Sequence, residues 1–149
     1  MMILLIASGV PPDSPSNGKL INDSSNRGIL DDGPYKVPIP VMATAITTSD
    51  NDTPLSFRWK PETKNCYAYL HFAEVENLQS NEFREFDISV NGEQPIAKGI
   101  RVLSSPSEIT KTWESPFTFT GPEVEITLNR TANSTHPPIL NAVEIFHVI

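Results

Sequence analysis

Two stretches decide the fold: Tyr69-Leu-His-Phe-Ala-Glu-Val75 and Arg84-Glu-Phe-Asp-Ile-Ser-Val-Asn-Gly92. In the second, Phe86, Ile88 and Val90 alternate with Glu85, Asp87 and Ser89. A period of two puts the apolar set on one face of a half-buried strand. Asn91-Gly92 then closes the run, the pair a tight hairpin turn selects because both central residues need a positive φ. The first stretch belongs to a longer, more apolar run over 65–75, which predicts a central strand.

Working outward, Leu55, Phe57 and Trp59 alternate with polar neighbours, and so do Val124, Ile126 and Leu128. Residues 41–48 are apolar and β-branched, which predicts a strand. Residues 96–103 are expected to return beside 84–90, with Pro95 entering at the edge. Residues 113–120 carry Phe117 and Phe119 at period two, and 139–148 read as the last strand, with Leu140, Ala142, Glu144 and Phe146 opposing Ile139, Asn141, Val143 and Ile145. The best helical candidate, 74–85, is rich in Asn and Ser and reads as a loop. About eight strands separated by turn residues predict an all-β, mainly antiparallel β-sandwich or jelly roll.

Residues 1–34 are expected to be a poorly ordered N-terminal segment, and 35–149 the domain. Val10-Pro-Pro-Asp-Ser-Pro-Ser-Asn-Gly18 is a run of turn formers and breakers. Met1-Met-Ile-Leu-Leu-Ile-Ala-Ser-Gly9 is apolar but has no basic flank, so it reads as the remnant of a signal peptide or the scar of a truncated gene. Nothing approaches the ~20 apolar residues of a membrane span.

The totals narrow the function. A chain of 149 residues with 38% hydrophobic and 19% charged content suits one globular domain with its own core. A net charge of -7 repels phosphate backbones, so no nucleic-acid partner is expected. The single cysteine, Cys66, permits no intrachain disulfide and heads an apolar strand, where a buried small hydrophobe is the reading.

Candidate chemistry is sparse. His71 and Glu74 lie three apart, which on a strand sends them to opposite faces, and the other histidines, His136 and His147, are far off. Glu74 is expected instead to pair with Arg84 across the intervening loop. Asp31-Asp32-Gly33 lacks the rest of a calcium loop and reads as a turn. No phosphate-binding, dinucleotide or nucleophile-elbow motif occurs. No catalytic residue, metal site or cofactor is expected, and the chain does not read as an enzyme. Asn22, Asn129 and Asn133 head glycosylation sequons, the last two expected in a surface turn, while Pro54 makes Asn51 a poor acceptor. Trp59, Phe57, Phe72, Phe86, Phe117 and Phe119 read as core. Tyr35 and Trp113 sit near strand ends beside polar residues and are the candidate ligand-contacting rings.

The segment 67–92, with His71-Phe72-Ala73-Glu74, Arg84-Glu85-Phe86 and Asn91-Gly92, resembles the malectin-like domain of plant receptor-like kinases. So does Ser134-Thr-His-Pro-Pro-Ile-Leu-Asn-Ala-Val-Glu-Ile-Phe146, and so do Tyr35-Lys-Val-Pro38 and Val41-Met-Ala-Thr-Ala45. Phe83 and His136 depart from the family pattern, which has a small polar residue and a leucine there. The resemblance covers roughly 30–149 and corresponds to the second malectin-type subdomain, without the first subdomain, leucine-rich repeats, membrane helix or kinase. It implies a non-enzymatic recognition module at the cell surface, reached through the secretory pathway. Its partners would be cell-wall carbohydrate or a secreted peptide, with a receptor or co-receptor protein beside it. The rival expectation is a structural subdomain that docks on a missing partner and binds no ligand alone.

Overall fold

The computed structural model describes residues 3–6, 17–23, 35–61, 65–103 and 110–148. Among these, eleven strands and one helical turn appear. They are β1 (Ile3–Ile6), β2 (Gly18–Asn22), α1 (Ile39–Met42), β3 (Thr44–Thr48), β4 (Leu55–Trp59), β5 (Cys66–Ala73), β6 (Arg84–Val90), β7 (Ala97–Val102), β8 (Thr110–Glu114), β9 (Val124–Arg130), β10 (Ile139–Leu140) and β11 (Ala142–His147). Two four-stranded sheets, ordered β1-β11-β5-β8 and β4-β9-β6-β7, are joined by a smaller sheet, β10-β3-β2. All pairings are antiparallel except β1 with β11.

The alternation read from the sequence supplies the core. Leu55, Phe57, Trp59, Phe86, Ile88, Val124, Ile126 and Leu128 are buried from one large sheet, and Cys66, Ala68, Leu70, Phe72, Val143 and Ile145 from the other. Phe72 meets Phe86 edge to face, with ring centroids 5.1 Å apart. Each such buried side chain contributes about 1.5–3 kcal/mol of transfer free energy. Cys66 is fully buried, and the Trp59 indole N–H donates to its Sγ at 3.4 Å. Burial pushes the thiol pKa up, so this cysteine is a packing residue.

The Asn91-Gly92 turn is of type I′: φ is 52° and 71° at the two residues, and Glu93 N–H donates to Val90 O at 3.1 Å. A β-carbon at position 92 would force a left-handed conformation on a residue that resists it.

Several sequence expectations are corrected. Val41 and Met42 belong to α1, because Pro40 fixes a helical φ in the first turn, and β3 begins only at Thr44. The last strand is two, divided at the fully buried Asn141. Its amide accepts from Ala73 N–H at 2.8 Å and donates to Met42 O and Thr44 O at 2.9 and 3.0 Å, stitching the small sheet to β5. Phe117 is 50% exposed, since the chain leaves β8 at Glu114 and returns only as a bridge between Phe119 and Cys66. Within the segment 1–34 expected to be poorly ordered, β2 pairs with β3 over its whole length and β1 pairs with β11. The rest of that segment, including Asp31-Asp32-Gly33, lies outside the described residues.

Candidate functional site

The inner faces of the large sheets make the core, and their outer faces differ in chemistry. On β5, Tyr67, Tyr69 and His71 have the opposite parity to the buried Cys66, Ala68, Leu70 and Phe72. Register aligns them with Phe146, Glu144 and Ala142 of β11, and aligns Tyr69 and His71 with Glu114 and Thr112 of β8. Tyr35 leans over the same face. The rings form one cluster: Tyr67 stacks on Phe146 at 5.3 Å, Tyr69 lies 5.3 Å from Phe146, and Tyr35 lies 5.6 Å from Tyr69 and 5.8 Å from His71. Such pairs add about 0.5–1.5 kcal/mol beyond area burial. Tyr35 is 37% exposed, and the other rings of the cluster, apart from His71, are partly exposed.

Two carboxylates rise from this face, each held by a neutral donor. His71 is 1% exposed, and burial pulls its pKa below the ordinary 6.5, the Glu144 carboxylate acting in the opposite sense. Its Nε2 lies 2.8 Å from Glu144 Oε2 and its Nδ1 2.8 Å from Thr112 Oγ1. A neutral imidazole satisfies both contacts: Nε2–H donates to the carboxylate and Nδ1 accepts from the threonine hydroxyl. The Tyr35 phenol donates to Glu114 Oε1, and that hydrogen bond is the main reason its pKa is raised. Tyr69, between the two carboxylates, also has a raised pKa, first from burial and then from the charges of Glu114 and Glu144.

On the outer face of β4-β9-β6-β7 both arginines are paired, and Asp87 accepts from Gly99 N–H at 2.8 Å. Arg58 pairs with Glu125 at 2.6 Å, Arg101 with Glu85 at 3.2 Å, and Ser56 bonds Thr127 at 2.8 Å. A cleft of about 280 Å³ lies beside it, lined by Arg101, Leu103, Thr110, Lys111 and Thr112. Arg101 is already committed there, paired with Glu85 and stacked 4.1 Å over the Phe83 ring.

Glu74 and Arg84 lie in neither face. They form a buried bidentate pair, Nε to Oε2 at 2.7 Å and Nη2 to Oε1 at 3.0 Å. Arg84 also donates to Pro137 O at 2.5 Å and Glu76 Oε2 at 2.6 Å. This knot joins the 74–84 loop to the Pro-Pro entry of β10. Among the described residues no buried side-chain nitrogen or oxygen lacks a partner.

The two candidate rings part company. Tyr35 joins the aromatic face, but Trp113 pairs in register with Leu70 and packs partly buried against the core, on the opposite side of its sheet. Trp113 therefore does not share the face on which Tyr35 lies. Of the sequon residues, Asn22 and Asn133 are exposed, whereas Asn129 sits half-buried within β9 opposite Asp87, so the turn expected there is corrected to a strand. Tyr67, Tyr69, Glu114, Glu144 and Phe146 were not singled out by sequence. The period-two aromatics of β5 were a signal for them, whereas the alignment of Glu114 and Glu144 needs the register. Among the described residues no cluster of three or more potential metal ligands occurs, and no helix is long and apolar enough to cross a membrane.

This architecture has known counterparts. The ANXUR2 extracellular domain from Arabidopsis thaliana superposes with a TM-score of 0.70 at 18% identity, over 93% of this chain and 41% of that one. A chain in the crystal structure of the plant peptide RALF23 in complex with FER and LLG2 matches with a TM-score of 0.71 at 19% identity, over 91% of this chain and 40% of that one. By sequence, the chain is 36% identical over 128 residues to a receptor-like protein kinase of Arabidopsis thaliana, which covers 85% of this chain and 15% of the relative. It thus spans about a seventh of the length of that relative. The family profile of the malectin-like domain matches residues 11–148, nearly the whole of the sandwich, and with it the fold, the paired sheets and the Asn-Gly hairpin find one explanation: the chain belongs to the malectin-like domain family.

Proposed function

We propose that this chain is an extracellular, non-enzymatic recognition module of a receptor-like protein, and that it takes its ligand on the outer face of the β1-β11-β5-β8 sheet. The ligand is a secreted peptide or cell-wall carbohydrate, with a co-receptor protein alongside. One observation carries the reading: Tyr35, Tyr67, Tyr69 and Phe146 make a ring cluster on a sheet face, flanked by two oriented carboxylates. Exposed rings supply rigid contact area, and fixed polar groups beside them supply direction. The kinship with receptor kinases supports the extracellular setting, and the peptide complex of a structural neighbour supports the ligand class. The one imidazole of the face has both nitrogens engaged and is buried, which leaves it poorly placed as a general base.

The test is a panel of cell-wall oligosaccharides and synthetic peptides, screened against the wild-type chain, Tyr69→Ala and Arg58→Ala. The expected hit is lost in Tyr69→Ala and kept in Arg58→Ala. A hit indifferent to Tyr69 overturns the assignment of the face.

A second reading, a subdomain that docks on a partner and binds no ligand alone, is favoured by a separate feature. Edge strand β2 presents Leu20, 50% exposed, and the chain spans only 41% of a solved ectodomain. That reading predicts hits only when the chain is joined to the remainder of an ectodomain.

A further inference from the structure

The aromatic face pairs a π floor with two anionic walls. Register places Glu144, Tyr69 and Glu114 as direct neighbours in a single cross-strand row. The carboxylates thus stand on the two strands flanking Tyr69, with α-carbons about 10 Å apart, two strand spacings. Of the alternate positions that make this face, 67–73 on β5, 110–114 on β8 and 142–146 on β11, none is a lysine or arginine. Lys111 has the other parity, opposite Phe72. Both carboxylates are oriented by neutral donors, a buried imidazole and a phenol, and no lysine or arginine shares their face on these three strands. The charged rows of the opposite sheet do the reverse, matching Arg58 with Glu125 and Arg101 with Glu85.

Such a surface is complementary to a cation. A guanidinium or ammonium over Tyr69 gains from the ring quadrupole and donates charge-assisted hydrogen bonds to either carboxylate. A polyuronate meets like charge at both walls. A neutral sugar stacks on the rings but leaves the two charges unanswered. The next row along β5 is Tyr67 with Phe146, about 7 Å away, the distance between alternate side chains of an extended peptide.

Building on the recognition face proposed above, we propose that the row Glu144, Tyr69 and Glu114 is a subsite for an arginine or lysine side chain of an extended peptide ligand. The neighbouring row of Tyr67 and Phe146 receives an apolar side chain two residues away. The ligand motif is therefore a basic residue, any residue, then an apolar residue, in either direction along β5.

The experiment titrates the full chain, by NMR and calorimetry, with the acetylated and amidated peptide GRGLG. Controls are the same peptide with citrulline or glutamate in place of arginine, and a neutral β-glucan tetrasaccharide. The expected result is saturable binding of the arginine peptide, at least about tenfold tighter than its citrulline isostere and weakened by salt, since exposed charges are screened. Glu114→Gln and Glu144→Gln should each lower it several-fold at unchanged melting temperature. If Glu144→Gln unfolds the chain, the exposed Glu114→Gln carries the test alone. Equal binding of the citrulline peptide overturns the cation subsite. Perturbation of Tyr69 and Phe146 by the tetrasaccharide but not by the peptide overturns it too, while leaving the recognition face standing. No perturbation of this face by any probe overturns both.

Discussion

The two outer faces of the sandwich are built on the same core by the same alternation, yet they spend their charges differently. On β4, β9, β6 and β7 each arginine of the face stands beside a glutamate, at Arg58 and Glu125 and at Arg101 and Glu85. On β5, β8 and β11 the glutamates answer to a buried histidine and a tyrosine hydroxyl, and rings fill the space between them. On that face each arginine has its counter-charge within the chain. The face that orders two carboxylates with neutral donors is the one proposed to meet a ligand.

The comparison breaks first if the shared layer is not shared. Arg84→Ala leaves the buried Glu74 carboxylate without its bidentate partner. Breaking a buried pair this way costs about 3–5 kcal/mol, or a fall in melting temperature of roughly 10 °C for a domain of this size. Calorimetry should show one transition moved down as a whole. An unchanged midpoint, or a loss confined to one sheet, contradicts a common core.

His71→Ala sharpens it next. Removing the imidazole strips both Glu144 and the Thr112 hydroxyl of a partner, with an expected loss of about 1–3 kcal/mol. The pH dependence has a definite sign. The folded-state pKa of His71 lies below its unfolded value of 6.5, so its contribution is fully present above 6.5 and is lost as pH falls from there through the folded pKa. Glu144, Tyr35 and Thr112 are the groups facing it. The melting temperature of the wild type should therefore drop between pH 7 and pH 5 more steeply than that of His71→Ala. Parallel curves would mean that the histidine is not held neutral.

Tyr69→Ala removes ring contacts with Tyr35, Tyr67 and Phe146, a loss of at least about 1.5 kcal/mol of stability, while lowering affinity for an arginine peptide about tenfold. Smallest of all is Arg58→Ala on the compensated face. An exposed pair of this kind is worth about 0.2–1 kcal/mol and fades with salt, and peptide affinity should not change. Equal loss of binding from both substitutions would erase the distinction between the faces.

Much of the sandwich was legible in the sequence because its strands are half-buried, and half-burial prints a period of two. Leu55 to Trp59, Phe86 to Val90 and Val124 to Leu128 all carry it. The Asn91-Gly92 turn was legible because its backbone geometry admits few other residues. Legibility failed where tertiary packing overrode local pattern. Val41 and Met42 look like strand but are turned by Pro40, and Phe117 looks inward but follows the end of its strand. The site was harder. Tyr35 and Trp113 read alike in the sequence, yet the fold sets Tyr35 over the outer face and Trp113 against the core, because nothing local tells which side of a strand meets the core. Glu114 and Glu144 lie 30 residues apart in sequence, and only the register across β5 sets them on either side of Tyr69.

The most direct test of the central claim is an amide and aromatic NMR shift map of the labelled chain with the arginine peptide GRGLG. The account predicts shifts concentrated on Tyr67, Tyr69, Glu114, Glu144 and Phe146, with Ser56, Arg58, Glu125 and Thr127 unmoved. Shifts centred on the Arg58 and Glu125 face, or none at the Tyr69 row, would contradict it.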